Sequence, residues 1–298
     1  MSGIKGSPYR VVLLAATILT LLACSSPTSG KDRVIRQAKK GRAKAQNNLG
    51  AMYIKGQGVP QDYAEGIKWF RKAAEQGNLD AQYNLGTLYI KGQGVPQDYV
   101  EAIKWFRKAA EQGNLESQNN LGIAYSKGQG VPQDYAEGIK WFRKAAEQGY
   151  ANAQNNLGVV YTKGQGVPQD YAEAIKWIRK AADQGNVDAQ YNLGAMYGKG
   201  QGVPQDYAEA NNWFRKAAEQ GNVDAQYKLG IAYSKGQGVP QDPIQSYFWW
   251  SLAASRSAGE DQKKYSRARD RVASVLTPDK LLEAHRMTRE WEKLHPGK

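Results

Sequence analysis

Apolar and polar positions alternate with helical spacing through most of the chain, and glycine and proline interrupt that spacing at regular intervals. Across residues 99–112, Tyr99, Ala102, Ile103, Phe106, Ala109 and Ala110 fall on one arc at ~100° per residue. Glu101, Lys104, Arg107, Lys108 and Glu111 fall opposite, and Trp105 lies at the edge of the apolar arc. Asp98 followed by Glu101 forms a capping-box pattern and Gly113 supplies a stop, so the pattern predicts an amphipathic helix over about 99 to 112. A second helix is predicted just before it, over about 79 to 90. Its N-cap is Asn78, and Ala81, Leu85, Leu88 and Tyr89 form its apolar face. Gly86 interrupts this helix at a cost of ~1 kcal/mol, which predicts that another backbone approaches closely there.

This two-helix pattern repeats. Lys-Gly-Gln-Gly-Val-Pro-Gln-Asp occurs with its first Gly at Gly56, Gly92, Gly128, Gly164, Gly200 and Gly236, a strict spacing of 36. Trp69, Trp105, Trp141, Trp177, Trp213 and Trp249 follow in the same register. The length of 298 residues alone suggests about two domains at ~150 residues each. Six copies at one period instead mean a solenoid over residues 45–258, in which each unit buries its apolar face by stacking on its neighbours.

The ends read as caps. Ala38 and Gly41 lie 36 residues before Ala74 and Gly77, so residues 32–40 look like a truncated second helix that opens the array. The sixth copy changes to Pro243-Ile244-Gln245-Ser246-Tyr247-Phe248-Trp249-Trp250, with Pro243 at the favoured first helical position. Two more helices are predicted, about 260 to 275 and, after Thr277-Pro278, 279 to 294. Residues 259–298 would thus cover the last apolar face with the polar surface that a terminal repeat needs.

Residues 1–24 read as an export signal. Lys5 and Arg10 precede an apolar run from Val11 to Leu22, shorter than the ~20 residues of a membrane-spanning helix. Leu21-Leu22-Ala23-Cys24 resembles the bacterial lipobox, and the chain's single Cys falls where the lipobox requires it. The resemblance implies cleavage before Cys24, acylation including palmitate, and a lipoprotein held at a membrane by its acyl chains. Ser25 after that cysteine implies passage to the outer membrane, with the protein facing the periplasm or the cell exterior. Residues 25–44 are then a basic tether leading into the truncated first helix.

Seven bases, Lys31, Arg33, Arg36, Lys39, Lys40, Arg42 and Lys44, stand there against Asp32 alone. Near anionic headgroups each base contributes ~1 kcal/mol. The repeats themselves are close to neutral, which offers no continuous track for phosphates and argues against a nucleic-acid partner.

Chemistry-bearing residues are scarce. One Cys excludes a disulfide scaffold and paired-thiolate zinc sites, and the two His, His285 and His295, sit at the extreme C-terminus. Gly-Gln-Gly resembles part of a phosphate loop but lacks the third Gly, the preceding strand and the G-K-[ST] continuation, so it reads as a turn. No S-x-x-K, H-E-x-x-H, C-x-x-C or G-x-S-x-G is present. No catalytic set, metal site or cofactor is expected, and the tryptophans read as packing between helices.

Leu85-Gly86-Thr87-Leu88-Tyr89, the turn from Gly92 to Tyr99, and the segment from Trp105 to Gly113 together closely resemble the Sel1-like repeat, a relative of the tetratricopeptide repeat. That resemblance implies an all-α fold: a right-handed αα-superhelical solenoid of six 36-residue repeats with a C-terminal helical cap. It also implies a non-catalytic adaptor for protein complexes. A cysteine-rich branch of the family is linked to β-lactam binding or hydrolysis, and this chain departs from it because its repeats contain no Cys.

Differences among the copies point to where a protein partner binds. On the first helix of each repeat they concentrate in one stripe, which includes Asn47, Tyr83, Thr87, Asn119, Asn155, Tyr191 and Tyr227. In superhelical repeats the first helices line the concave face, so this stripe is the candidate groove, with its tyrosines exposed. The competing reading is a cell-wall or β-lactam-related enzyme, or a glycan binder that stacks sugars on Tyr83, Tyr191 and Tyr227. Asn211 replaces the apolar residue found as Ile103 and Ile175, and so either finds a hydrogen bond or marks a weak seam.

Overall fold

The computed structural model describes residues 30–295. The export signal, Cys24 and the start of the basic tether lie outside them. Among the described residues there are fifteen α-helices and no strand. A short opening helix, α1 (Gly30–Lys39), precedes six helical hairpins. The first helix of each hairpin, here the A helix, is α2 (Ala43–Lys55), α4 (Leu79–Lys91), α6 (Leu115–Lys127), α8 (Ala151–Lys163), α10 (Val187–Lys199) or α12 (Val223–Lys235). The second, or B helix, is α3 (Tyr63–Glu75), α5 (Tyr99–Glu111), α7 (Tyr135–Glu147), α9 (Tyr171–Asp183), α11 (Tyr207–Glu219) or α13 (Pro243–Ser255). Helices α14 (Gly259–Ala273) and α15 (Pro278–Leu294) close the chain. The architecture is an all-α repeat of the solenoid class.

The repeated octapeptide encodes the hairpin loop. Gly56 and Gly58 take φ of 65° and 73°, the left-handed region where a side chain is strained. Between them and the B helix, Gln61 Nε2 donates to the Ile54 carbonyl (2.8 Å), and the Asp62 amide donates to the Tyr53 carbonyl (2.9 Å). Asp62 Oδ1 then accepts from the Glu65 amide at 2.9 Å and caps α3. Orphan groups of both helix ends thus find partners within eight residues. Asn78 caps α4 by accepting from the Ala81 amide (2.9 Å), as its position before the apolar run predicts.

The chain forms two compact units, one through Ala109 and one from Ala110 onward. In the first, Ile67, Phe70, Leu85, Leu88 and Trp105 form a buried core. Phe106 is also buried, and a Cβ built on Gly86 would lie 2.5 Å from its Cε1. The sequence predicts a backbone approaching Gly86. The nearest neighbour is an aromatic ring, whose burial contributes about 2 to 3 kcal/mol and offsets the poor helix propensity of glycine. At the same register in other copies a B-helix carbonyl also comes close, 2.9 Å from a Cβ on Gly158 (Ala174) and 3.0 Å from one on Gly194 (Ala210).

The second unit repeats this core around Leu157 and Phe142, around Leu193 and Ile178, and around Leu229 and Phe248. It ends in the cap. Tyr247 and Trp250 pack against Val272 of α14 and Ala284 of α15, and Tyr247 Oη lies 2.7 Å from His285 Nε2.

Polar positions also tie the helices together. Gln46, Gln82, Gln118, Gln154, Gln190 and Gln226 are all buried. Each donates its amide to the carbonyl of an alanine eight residues earlier, as Gln82 does to Ala74 at 3.1 Å. A buried amide without such a partner would cost about 1 to 3 kcal/mol, so these glutamines are specified by the backbone they meet.

Candidate functional site

Along each A helix, the open side alternates with two buried rows. On α4, Asp80 and Lys91 are exposed and Tyr83, Asn84 and Thr87 are half-buried, while Ala81, Gln82, Leu85, Gly86 and Leu88 are buried. The stripe read from the sequence therefore lies on the correct helices but is shifted in depth.

Asn47, Asn119 and Asn155 are buried, at 9%, 6% and 8% exposure, and do not present their side chains to a partner. Each accepts from an asparagine of the next A helix. Asn84 Nδ2 donates to Asn47 Oδ1 (3.2 Å), Asn156 to Asn119 (2.9 Å) and Asn192 to Asn155 (2.9 Å). A side-chain amide is compact and carries both donor and acceptor, so it forms rungs between neighbouring helices.

The tyrosines at the same position pack instead. Tyr83 tilts against Phe106 with ring centroids 6.0 Å apart, and Tyr191 against Phe214 at 5.7 Å. Burial, and secondarily the Asp224 carboxylate, push the Tyr191 phenol up, keeping it neutral. Tyr227 lies beneath the cap, 4.5 Å from the Tyr265 ring and with Lys264 Nζ 4.5 Å from its own centroid. Each ring is half-buried and engaged on the adjoining B helix or cap, so none of the three is the freely exposed platform that the sequence reading expects. Thr87 is half-buried, with Oγ1 donating to the Tyr83 carbonyl at 3.0 Å.

The tryptophans are packing elements, as their register predicts. Trp105 Nε1 donates to Glu101 (3.0 Å), and Lys108 Nζ sits 4.4 Å from the ring centroid. Trp213 repeats the arrangement with Glu209 and Lys216. In Trp105, Trp177 and Trp213 the indole polar atom and one ring face are both occupied within the B helix itself, whereas the buried Trp141 Nε1 has no hydrogen-bond partner.

Asn211 finds its hydrogen bond. It is buried, and Nδ2 donates to the Gln237 carbonyl of the following hairpin loop at 2.7 Å. It also lines a cavity of about 200 Å³ between α10, α11 and α12, together with Tyr191, Gly198, Phe214, Lys228 and Ile231. Gly198 and Ile231 belong to the divergent stripe read from the sequence, whereas sequence reading did not single out Lys228, although it departs from the asparagine at its register in the other copies.

Among the described residues, no group of three or more His, Cys, Asp or Glu could hold a metal ion, and no helix is long and apolar enough to cross a membrane.

Paired helices of fixed length, joined by one repeated loop and differing mainly along the open side of the A helices, define a repeat protein of the helical-hairpin class. The family model of the Sel1 repeat matches residues 43–78, 79–114, 115–150, 151–186, 187–222 and 223–257, and the chain belongs to this family. Among solved structures, the chain is similar to a protective antigen present in uropathogenic Escherichia coli strains that displays an SLR fold. The two are 41% identical with a TM-score of 0.76, over 87% of this chain and 56% of that one. The chain thus spans little more than half of that relative's length. It is also similar to a Sel1 repeat protein from Oxalobacter formigenes, 36% identical with a TM-score of 0.69, over 74% of this chain and 87% of that one. No functionally curated protein matches the chain. Sel1 repeat proteins are generally scaffolds for protein interaction and typically non-catalytic.

Proposed function

We propose that the protein is a non-catalytic scaffold, held in the bacterial envelope by acyl chains on Cys24, that grips a protein partner along the open side of its A helices. The observation that carries this reading is where the copies differ. B helices α3 and α7 are identical over all 13 residues. The A helices instead vary at half-exposed positions: Ala51, Thr87, Ile123, Val159, Ala195 and Ile231 occupy one register. A surface with small, polar and branched residues in turn can distinguish partners, whereas a surface of repeated Lys and Glu cannot.

The anchor is supported by the lipobox and by the basic residues from Lys31 to Lys44, all exposed, which begin seven residues after Cys24. Their charge favours an anionic membrane surface. The E. coli relative's description as a protective antigen accords with an envelope location, outer membrane included.

The test is position-specific photocrosslinking in cells. Benzoylphenylalanine in place of Thr87, Val159 or Ala195 should trap one and the same protein, and in place of Lys104 or Lys176 should not. Adducts from the B-helix positions alone would move the binding surface. Cys24→Ser should accumulate unprocessed precursor and lose palmitate labelling, and normal maturation of that variant would remove the lipid anchor from the reading.

A further inference from the structure

Three departures from the repeat pattern converge on the cavity of the fifth hairpin. Gly198 stands where the other copies carry Ile54, Ile90, Ser126, Thr162 and Ser234. Asn211 stands where four copies carry Ile67, Ile103, Ile139 and Ile175, and Lys228 where five carry Asn48, Asn84, Asn120, Asn156 and Asn192. They lie on three different helices, α10, α11 and α12, yet all line the same space of about 200 Å³. Each contributes something distinct. Gly198 leaves the volume open: a Cβ built on it would meet only Ala210 Cβ, at an ordinary 3.7 Å. Asn211 commits its donor to the Gln237 carbonyl and keeps its amide oxygen as an acceptor at the wall. Lys228 adds an exposed cation beside the exposed Lys199, and no carboxylate lines the cavity. Phe214, Ile231 and the Tyr191 ring supply apolar walls.

The volume falls below the ~300 to 1,000 Å³ of pockets that enclose a drug-sized molecule, and suits a single side chain. An apolar socket rimmed by two cations favours an apolar group with negative charge beside it.

We propose that this cavity is a socket for one large apolar side chain of an acidic segment in the protein partner. The side chain enters between Phe214 and Ile231, and carboxylates next to it in the segment meet Lys199 and Lys228. This rests on the reading of the A-helix side as a protein-binding surface and names the chemistry it selects.

The test uses the full chain in detergent and a fluorescein-labelled peptide, Gly-Asp-Asp-Phe-Glu-Asp-Gly, followed by anisotropy. The peptide should bind, and replacing its Phe by Ala should weaken binding by about tenfold or more, since one anchor carries most of such a contact. A version with Lys at every acidic position should not bind. Gly198→Ile, which installs the residue of the first two repeats, should weaken binding by about tenfold or more with an unchanged circular dichroism spectrum. Gly198→Ser, the residue of the sixth repeat, provides a milder filling if the Ile variant is unstable, and should weaken binding by about threefold. Lys228→Asn should weaken binding by about fivefold at low salt and less at high salt. No binding of the acidic Phe peptide, equal binding of the Lys version, or no effect of filling at position 198 would overturn the socket. If crosslinks from Thr87 and Val159 persist in that case, the scaffold reading stands without it. If the peptide binds at the socket while those crosslinks are absent, the long-surface reading fails and the socket remains.

Discussion

The first and fifth hairpins solve the same junction in opposite ways. In the first, Ile54 of α2 lies over Gly66 of α3, so close that a Cβ on Gly66 would sit 2.7 Å from Ile54 Cδ1 and 3.0 Å from the Gly50 carbonyl oxygen. Here the A helix supplies the bulk and the B helix has no side chain at the contact. In the fifth, Gly198 faces Ala210 across 3.7 Å of ordinary contact, and no bulk is supplied from either side. The neighbouring Ile67 likewise becomes Asn211, which turns to the loop carbonyl of Gln237. Helices in a repeat array are held at a spacing set by their other contacts, so losing volume at one junction leaves a cavity and does not draw the helices together. Here that rule produces an opening of about 200 Å³ in an otherwise regular repeat.

The comparison can be broken by hollowing the first junction. Ile54→Gly should cost about 3 kcal/mol, combining lost burial, a residual cavity and the helix cost of glycine. Urea unfolding followed by circular dichroism would read it as a lower midpoint, and a cost below about 1 kcal/mol would mean that the junction collapses freely. The asparagine rungs provide the next effect. Asn119→Ala removes the acceptor for Asn156 and should cost about 1 kcal/mol, readable in the same unfolding experiment. This reverses what an exposed stripe implies, namely a silent substitution.

The smallest effects are the sharpest, since they set one chemical change in two places. Gly66→Ala and Gly198→Ala each gain up to ~1 kcal/mol of helix propensity. At position 66 the new methyl meets the Ile54 side chain and the Gly50 carbonyl, and the net change should be zero or destabilising. At position 198 it meets only Ala210 Cβ at an ordinary contact distance, and the protein should gain about 0.5 to 1 kcal/mol. Equal shifts in the two unfolding midpoints would show that the junctions are equivalent after all.

Much of the fold was legible in the sequence because it rests on short-range interactions. Asp98, Asn78 and Gly92 mark helix ends through contacts within a few residues, and the helices observed at Tyr99–Glu111 and Leu79–Lys91 differ by one residue from the spans predicted. The apolar arc of Ala102, Ile103, Phe106, Ala109 and Ala110 is buried as its spacing requires. The candidate face was legible only as a helix, not as individual side chains. Asn155 and Tyr191 occupy the same register, yet one forms a rung with Asn192 and the other packs on Phe214, and neither outcome follows from register alone.

The sequence by itself determined the period, the caps, the loop and the family, because each is written in residues near one another along the chain. Tertiary structure alone decided that Phe106 occupies the space above Gly86, that Tyr227 lies under the cap, and that Gly198, Asn211 and Lys228 meet at one cavity. Those outcomes depend on the volumes that facing helices bring to a shared junction, and a side chain's share of that volume is fixed by residues tens of positions away.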